Sequence, residues 1–324
     1  MLFSGCAGKN EQFTHTCFAM DTYVRMDAYG GDAEAALHSA EYELKKLEKL
    51  FSPTLAASDA RRIGEPNGGY VMVAHETAAM LETAQRVSEM TDGAFDVTVG
   101  PLVSLWGFET GAPSVPSGEA IESAKRLVDY RNLDLAGTSV HVEKGMRVSF
   151  GGIGKGMAAD LLTDIFHAHH VEGALMNFGG NVQTLGKRPD GADWRVGIQD
   201  PLNADKAVGV VTAQDCAIVT SGAYQRGFTE DGCYYHHILD PKTGYPADSG
   251  LVSVTVIAKK GAYADALSTA LFVMGEEKAA ALYRSAGDFE MVLVTEDGRV
   301  LATEGAAFTP AQDSGYAFEL LTRS

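Results

Sequence analysis

The second half of the chain contains short strand-like runs that follow one another closely, and their spacing most constrains the fold. Apolar and β-branched residues predict strands at 173–178, 194–199, 207–213, 251–258 and 290–295. Hairpin-like intervals predominate among these later strands. That spacing favours antiparallel pairing over a doubly wound parallel sheet. The sequence therefore predicts the α+β class.

Helical periodicity is clearest over residues 32–51, where apolar residues recur three and four positions apart. Residues 13–30 have the alternation of a strand, and residues 133–148 are predicted to form short strands around turns. Further helices are predicted at 75–91, 119–129, 156–169, 263–274 and 276–285. With neither a repeat nor a low-complexity linker, we predict one domain over residues 13–324, preceded by a tether over residues 1–12.

Composition excludes some function classes. The 324 residues are 45% hydrophobic, enough for a substantial core. The 43 acidic residues outnumber the 26 basic ones, giving a net charge of −17. No basic run could follow a phosphate backbone, so nucleic acid is not an expected partner. No stretch is long and apolar enough to predict a membrane span.

The four cysteines lack the CxxC spacing and are too few for a disulfide scaffold. Cys6 differs from the others because it ends the sequence "LFSGC", which resembles the end of a bacterial lipoprotein signal. The favoured interpretation is a lipid-modified Cys6, and the alternative is an incidental cysteine near the start of the sequence.

The segment "VSFGGIGKGMAADLL" places four glycines and a lysine within six positions, between a strand-like run and a helix. It is not a Walker loop, because Gly156 follows Lys155 and Ser149 replaces the first glycine. It is not a dinucleotide fingerprint, because Met157 stands at the third glycine position. A helix N-terminus with free N–H groups and a lysine can still bind an anion. The alternative is a tight strand-to-helix turn with an exposed lysine.

Asp265 and Thr269 lie four residues apart in a mostly apolar helical segment, hence on one face of the helix. Carboxylate and hydroxyl oxygens are suitable ligands for a hard cation such as Mg²⁺. The alternative interpretation is an exposed polar stripe.

Seven segments, taken in order from about Phe18 to about Gly275, resemble the ApbE family of FAD:protein FMN transferases. They are "FAMDT", "TDGAFDVTVGPLVSLWGF", "GGIGKGMAAD", "NFGGN", "VTSGAYQR", "HHILDPKTGYP" and "ADALSTALFVMG". The resemblance implies a T-fold-related α+β architecture with antiparallel sheets and packed helices. It also implies Mg²⁺-dependent transfer of FMN from FAD to a threonine of a target flavoprotein through a phosphoester bond, with release of AMP.

The resemblance also implies the roles of individual residues. By resemblance His237 matches a histidine near the reacting phosphate. From the needs of phosphoryl-type transfer we expect two catalytic groups: Lys155, which offsets phosphate charge, and His237, which acts as the base. A nearby carboxylate is the alternative base, and His236 is the weaker of the two histidine candidates. The implied metal ligands are the Gly154 carbonyl, Asp265 and Thr269. The implied cofactor-binding residues are Met20, Ala94, Phe95, Asp96, Gly151, Met157 and Leu239.

Some residues depart from the family pattern. Asp21 replaces the glycine of the Met-Gly-Thr segment, and Thr54 replaces an aromatic residue that would cover the flavin. Gly64 replaces an asparagine, and Gly154 stands where alanine is frequent. Two other functions therefore remain open: an FAD pyrophosphatase and a non-catalytic FAD-binding lipoprotein. The expected location is extracytoplasmic, with a lipid anchor in the bacterial cell membrane and an acceptor in a membrane redox system.

Overall fold

A computed structural model of the chain describes residues 11–64, 69–109, 111–312 and 314–323. Its α-helices are α1 (Ala33–Phe51), α2 (Asp59–Arg62), α3 (His75–Met90), α4 (Gly100–Trp106), α5 (Gly118–Lys125), α6 (Gly154–Ala168), α7 (Gly261–Met274) and α8 (Glu276–Ala286). Its strands are β1 (Gln12–Ala19), β2 (Thr22–Tyr29), β3 (Val71–Met72), β4 (Leu133–Ala136), β5 (Ser139–Val142), β6 (Gly173–Phe178), β7 (Asn181–Gly186), β8 (Trp194–Asp200), β9 (Asn203–Ala213), β10 (Ala217–Gly222), β11 (Gly227–Glu230), β12 (Cys233–His236), β13 (Leu251–Ala258), β14 (Glu290–Thr295), β15 (Arg299–Thr303), β16 (Phe308–Pro310) and β17 (Ala317–Leu321).

A nine-stranded sheet with the order β1-β2-β6-β7-β10-β13-β14-β15-β17 organises the molecule. Its neighbouring strands are antiparallel except β15 and β17, which are parallel. The predicted α+β class with antiparallel pairing is therefore confirmed. Smaller sheets are formed by β8, β9 and β16, by β3, β4 and β5, and by β11 and β12.

Both faces of the middle of this sheet are buried. Successive side chains of a strand point to opposite sides, so one strand can contribute to two cores. In β14, Met291 and Leu293 join the main core, whereas Val292 and Val294 join a second core against the β8-β9-β16 sheet. Helix α7 packs in the main core and is buried on nearly all sides. The sheet and its helices therefore hold the N-terminal ends of α6 and α7 in fixed positions.

The structure corrects the prediction of a single strand over residues 13–30. Two antiparallel strands, β1 and β2, meet at a turn in which Met20 and Asp21 have φ values of 53° and 60°. Consecutive left-handed residues are the geometry of a type I′ hairpin turn. The family glycine suits this turn, and aspartate is one of the residues that tolerates the left-handed region.

Several boundaries also differ from the prediction. The helix expected at 119–129 ends at Lys125, and the strand expected at 207–213 begins at Asn203. Strands β7 and β10 and helix α4 were not predicted. The tether predicted over residues 1–12 falls mostly outside the described residues, and β1 already includes Gln12. Among the helices described, none has the length and apolar character needed to cross a membrane.

Candidate active site

The glycine turn that precedes α6 lies beside the segment predicted to contact flavin. The Ser149 N–H donates to the Val97 carbonyl at 2.8 Å and aligns the two segments. A Cβ atom added to Gly152 would lie 3.2 Å from a ring carbon of Phe95 and 3.3 Å from Thr269 Oγ1. The glycine therefore leaves a cradle between an aromatic ring and a hydroxyl group that a side chain would fill.

Met20 reaches the same turn from the β1–β2 hairpin. A Cβ atom added to Gly154 would lie 3.6 Å from Met20 Cε and 3.8 Å from Phe51 Cδ2. The backbone N–H of Met20 donates to Glu48 Oε1 at 2.7 Å, which ties the hairpin turn to α1. Two distant sequence segments thus meet the glycine turn from one side.

Helices α6 and α7 approach each other so closely that their crossing requires glycine. A Cβ atom on Gly156 would lie 2.1 Å from the Gly261 carbonyl oxygen. Each helix supplies an aspartate to the other's N-terminus. Asp265 Oδ2 accepts the Gly156 N–H at 2.9 Å, and Asp160 accepts the Gly261 and Ala262 N–H groups at 2.8 and 3.0 Å.

This exchange corrects one sequence expectation about the N-terminus of α6. The free N–H groups were expected to face an anion, but the Gly156 N–H is already bonded to Asp265. Asp265 Oδ1 also accepts from Asn181 Nδ2 at 3.1 Å. Burial raises the pKa of Asp265, while the Lys155 charge and the N–H donors oppose that rise. The carboxylate therefore joins the N-terminus of α6 to Asn181 at the start of β7.

Three hydroxyl groups form a chain of contacts where α7 packs on β10. Thr269 Oγ1 lies 3.3 Å from Ser221 Oγ, which lies 2.8 Å from Ser268 Oγ. Sequence reasoning gave Ser221 and Ser268 no catalytic, metal-binding or cofactor-binding role, although both lie inside segments that carried the family resemblance. Ser221 and Ser268 come together only because β10 packs against α7, and no local sequence pattern predicts that packing.

These groups fit a magnesium ion by their chemistry. Asp265, Thr269 and Ser221 offer only oxygen atoms, the ligands preferred by hard cations. The cradle at Gly152 lies directly beside Thr269 Oγ1. Gly154, the third predicted ligand, is buried at the first residue of α6.

His237 is held in one tautomer by its neighbour. Its Nδ1 lies 3.0 Å from the Arg226 carbonyl oxygen, which can only accept, so Nδ1 carries the proton and Nε2 is left as an acceptor. Burial lowers the pKa of His237 to about 4, helped by the charges of Lys155 and Arg226. The imidazole is therefore neutral at pH 7.

His236 has a structural role by contrast. Its Nε2 bonds the Ala247 carbonyl at 3.0 Å, its Nδ1 accepts the Ile238 N–H at 3.3 Å, and its ring packs edge-on against Phe272. Both nitrogens are occupied, which supports His237 as the functional histidine of the pair.

Glu109 is a carboxylate near the site that sequence reasoning missed. It accepts a hydrogen bond from Ser149 Oγ at 3.2 Å, two residues before the glycine turn. Burial raises its pKa, and the charges of Arg147, Arg226 and Arg61 oppose that rise. Glu109 is thus the residue that fits the alternative in which a carboxylate acts as the base.

The remaining predicted residues occupy different surroundings. Ala94 and Leu239 are buried, and Gly151 is exposed at the turn. Asp96 is buried, and its carboxylate accepts from the Thr98 and Tyr130 N–H groups at 2.8 and 2.9 Å, so its side chain organises its own loop.

Met157 lies in the wall of a cavity of about 1090 Å³. As far as residues are described, the wall includes no other predicted site residue. The cavity is larger than the second one near α1, but Asp265 and Thr269 contact the glycine turn instead, and Lys155 belongs to that turn. Chemistry therefore locates the candidate site at the turn.

The fold and these groups define an enzyme site suited to charged, phosphate-bearing substrates. A model of the ApbE family matches residues 20–293, and the chain belongs to this family. It is 34% identical over 328 aligned positions to the FAD:protein FMN transferase of Treponema pallidum, covering 93% of this chain and 90% of the relative. A Klebsiella pneumoniae FAD:protein FMN transferase is also 34% identical, covering 95% of this chain and 97% of the relative.

Solved structures show the same fold. The ApbE protein of Thermotoga maritima superposes with a TM-score of 0.84 at 35% identity, covering 91% of this chain and 97% of that one. The flavin transferase ApbE of Vibrio cholerae superposes with a TM-score of 0.80 at 28% identity, covering 93% and 96% of the two chains. The family membership inferred from seven motifs is confirmed.

Proposed function

We propose that this chain is an FAD:protein FMN transferase, which moves FMN from FAD to a threonine hydroxyl of a partner protein and releases AMP. The observation that carries the proposal is that Lys155, Asp265 and Thr269 lie at one glycine turn, with His237 near enough for the Lys155 charge to lower its pKa. Two relatives that carry the name of this activity align with this chain over 90% and 97% of their own lengths.

Asp265, Thr269 and the Gly154 carbonyl would hold Mg²⁺, with the Ser221 hydroxyl beside them. The ion supplies charge neutralisation for the pyrophosphate when it is bound. Lys155 adds a second positive charge, which acts on the pKa values of both Asp265 and His237. Phosphoryl-type transfer depends mainly on such alignment and charge compensation.

The reacting atoms follow from these positions. The threonine oxygen attacks the FMN phosphorus, the pyrophosphate P–O bond to AMP breaks, and AMP leaves with the bond electrons. His237 Nε2 takes the hydroxyl proton, because its Nδ1–H is fixed on Arg226. A bound anionic pyrophosphate raises the pKa of His237 from its low value in the free protein and makes it a stronger base.

The transfer is tested by incubating the protein with FAD, Mg²⁺ and a threonine-bearing acceptor domain. The expected result is a fluorescent acceptor band that survives denaturation, with one AMP released per FMN attached. AMP release without a band for any acceptor would identify a pyrophosphatase. FAD binding with neither product would identify a carrier.

Thr54 provides a test of how the flavin site is closed. It is exposed three residues after Phe51, which packs beside Gly154, so its segment borders the glycine turn. Thr54→Tyr should tighten FAD binding about 2- to 10-fold through ring stacking worth about 0.5–1.5 kcal/mol. It should also slow the hydrolysis of FAD to FMN and AMP that accompanies transfer, by excluding water.

Fluorescence titration and AMP release without an acceptor measure the two effects. Thr54→Val is the matched control, since it keeps the size of threonine without adding a ring. Equal affinity and equal hydrolysis in Thr54→Tyr and the wild type would show that this position does not close the site.

We propose further that Cys6 is the anchoring residue of a lipoprotein located outside the cytoplasm. The support is the "LFSGC" motif, and Cys6 itself lies outside the described residues. The acceptor would then be a flavoprotein of a redox system at the same membrane face.

Mass spectrometry of the protein isolated from its native membrane should find a diacylglyceryl group joined to the Cys6 sulfur by a thioether bond. Cys6→Ser should move the protein into the soluble fraction without changing its activity on a soluble acceptor. An unmodified Cys6 in the native protein would contradict the anchor.

A further inference from the structure

A cluster of potential metal ligands lies where β1 packs on α1, outside the site described above. His15 and Cys17 are two residues apart in β1, so their side chains project from the same face of the strand. Glu41 reaches them from α1, and its Oε2 lies 2.7 Å from His15 Nε2. One nitrogen, one sulfur and one carboxylate oxygen all lie within 4.8 Å of one another.

We propose that His15, Cys17 and Glu41 form a binding site for a thiophilic divalent cation of the Zn²⁺ type. Zinc binds imidazole nitrogen, thiolate sulfur and carboxylate oxygen at about 2.0–2.3 Å. Tetrahedral bonds of that length place ligand atoms about 3.3–3.8 Å apart. To reach that spacing, the 2.7 Å contact between His15 and Glu41 must open, and any pair of ligand atoms near the 4.8 Å limit must close by about 1 Å.

A fourth ligand is available on the same helix. His38 precedes Glu41 by three residues, so the two share one face of α1. Its exposed ring is centred 5.8 Å from the His15 ring. Because both rings remain in contact with solvent, a cation can reach the cluster without opening the core.

Two carboxylates, Glu41 and Glu48, and one ammonium group, Lys45, act on the Cys17 thiol. Burial raises the pKa of Cys17, and the charges of Glu41 and Glu48 raise it further, with Lys45 opposing them. Cys17 is therefore a neutral thiol in the absence of metal. When the cation binds, the Cys17 S–H bond breaks, the proton goes to solvent, and the sulfur lone pair forms the bond to the metal.

The position of the cluster indicates what a bound metal would do. Glu41, Lys45 and Glu48 recur four and three residues apart on α1, and they contact His15, the Phe18 carbonyl and the Met20 N–H in turn. These contacts run along β1 to the hairpin turn that carries Met20. A metal bound at the His15–Glu41 contact would cross-link β1 to α1.

The test is a titration of the full chain with Co²⁺, a spectroscopic substitute for Zn²⁺, in excess Mg²⁺ so that the magnesium ligands are engaged. One equivalent of Co²⁺ should give a thiolate-to-metal charge-transfer band that Zn²⁺ then abolishes. Cys17→Ser and His15→Gln should each lose the band. Either variant should weaken Zn²⁺ binding by more than the ~10–100-fold that follows loss of an outer-shell partner.

Cys216→Ser is the matched control, because Cys216 is another partly buried free thiol. It should keep the band and the Zn²⁺ affinity. FMN transfer in Mg²⁺ alone should be equal in Cys17→Ser and Cys216→Ser, since neither thiol belongs to the candidate active site. Absence of a thiolate band in the wild type, or unchanged Zn²⁺ affinity in both Cys17→Ser and His15→Gln, would overturn the proposal.

Discussion

Asp265→Asn should reduce AMP release and FMN transfer by at least about 10³-fold while FAD binding largely survives. The substitution keeps the size of the side chain but removes the charge that would hold Mg²⁺. A metal contributes several kcal/mol to transition-state stabilisation, and each 1.36 kcal/mol corresponds to a factor of ten in rate. Asparagine is preferred to alanine because its single oxygen can still accept from the Gly156 N–H or from the Asn181 amide, whereas alanine would leave both donors without an acceptor.

Steady-state AMP release and a fluorescence measurement of FAD binding separate the two effects. Asp164→Asn is the matched control, since Asp164 is an exposed aspartate of α6 in the wall of the 1090 Å³ cavity. It should behave as the wild type. Full wild-type turnover in excess chelator would show that no divalent cation is required and that Asp265 has another role.

His237→Ala should lower transfer by about 10²–10⁴-fold with little change in FAD affinity, because the threonine hydroxyl would lose its base. If Glu109 is the base instead, Glu109→Gln should show the larger loss and His237→Ala the smaller one. Single-turnover transfer to an acceptor domain, measured for both variants, distinguishes the two assignments.

The pH dependence gives an independent check on His237. The base must be unprotonated, and the pKa of His237 in the free protein is lowered from 6.5 to about 4. The value of kcat/KM for FAD, which reports the free protein, should therefore stay level as the pH falls from 7 to about 5, and decrease only as it approaches 4. His237→Ala should lack this acidic limb. A limb near pH 6.5 in the wild type would contradict the low pKa.

The lowered pKa of His237 also makes the stability of the folded protein depend on pH. Because the folded-state pKa lies below 6.5, the unfolded chain takes up the proton first as the pH falls. His237 therefore lowers the free energy of unfolding progressively as the pH falls from about 6.5 to 4.

His236→Gln is the structural contrast: it should reduce thermal stability through lost hydrogen bonds, without the selective loss of transfer.

Local patterns predicted the regular elements most closely where one physical signal dominated. Residues 173–178 and 251–258 are strands with the predicted bounds, and 32–51 differs from helix α1 by one residue. Period-two and period-3.6 burial are properties of short segments, so the sequence alone reports them.

Elements were missed where the local signal was mixed. Strand β7 contains Gln183 and Thr184 yet is almost wholly buried, and helix α4 begins with a glycine and a proline. The Met20–Asp21 turn lacks a glycine, so the hairpin was predicted as one strand. In these cases tertiary packing outweighed propensity.

The sequence by itself determined the α+β class, the family and the order of the motifs, because each depends on residue type and spacing along the chain. Only the tertiary structure decided the hydrogen-bond partners of the candidate functional groups. Asp265 occupies the Gly156 N–H that was expected to be free, and the Arg226 carbonyl sets the tautomer of His237. Each contact joins a side chain to a backbone group on another segment, so its geometry exists only once the sheet has brought those segments together.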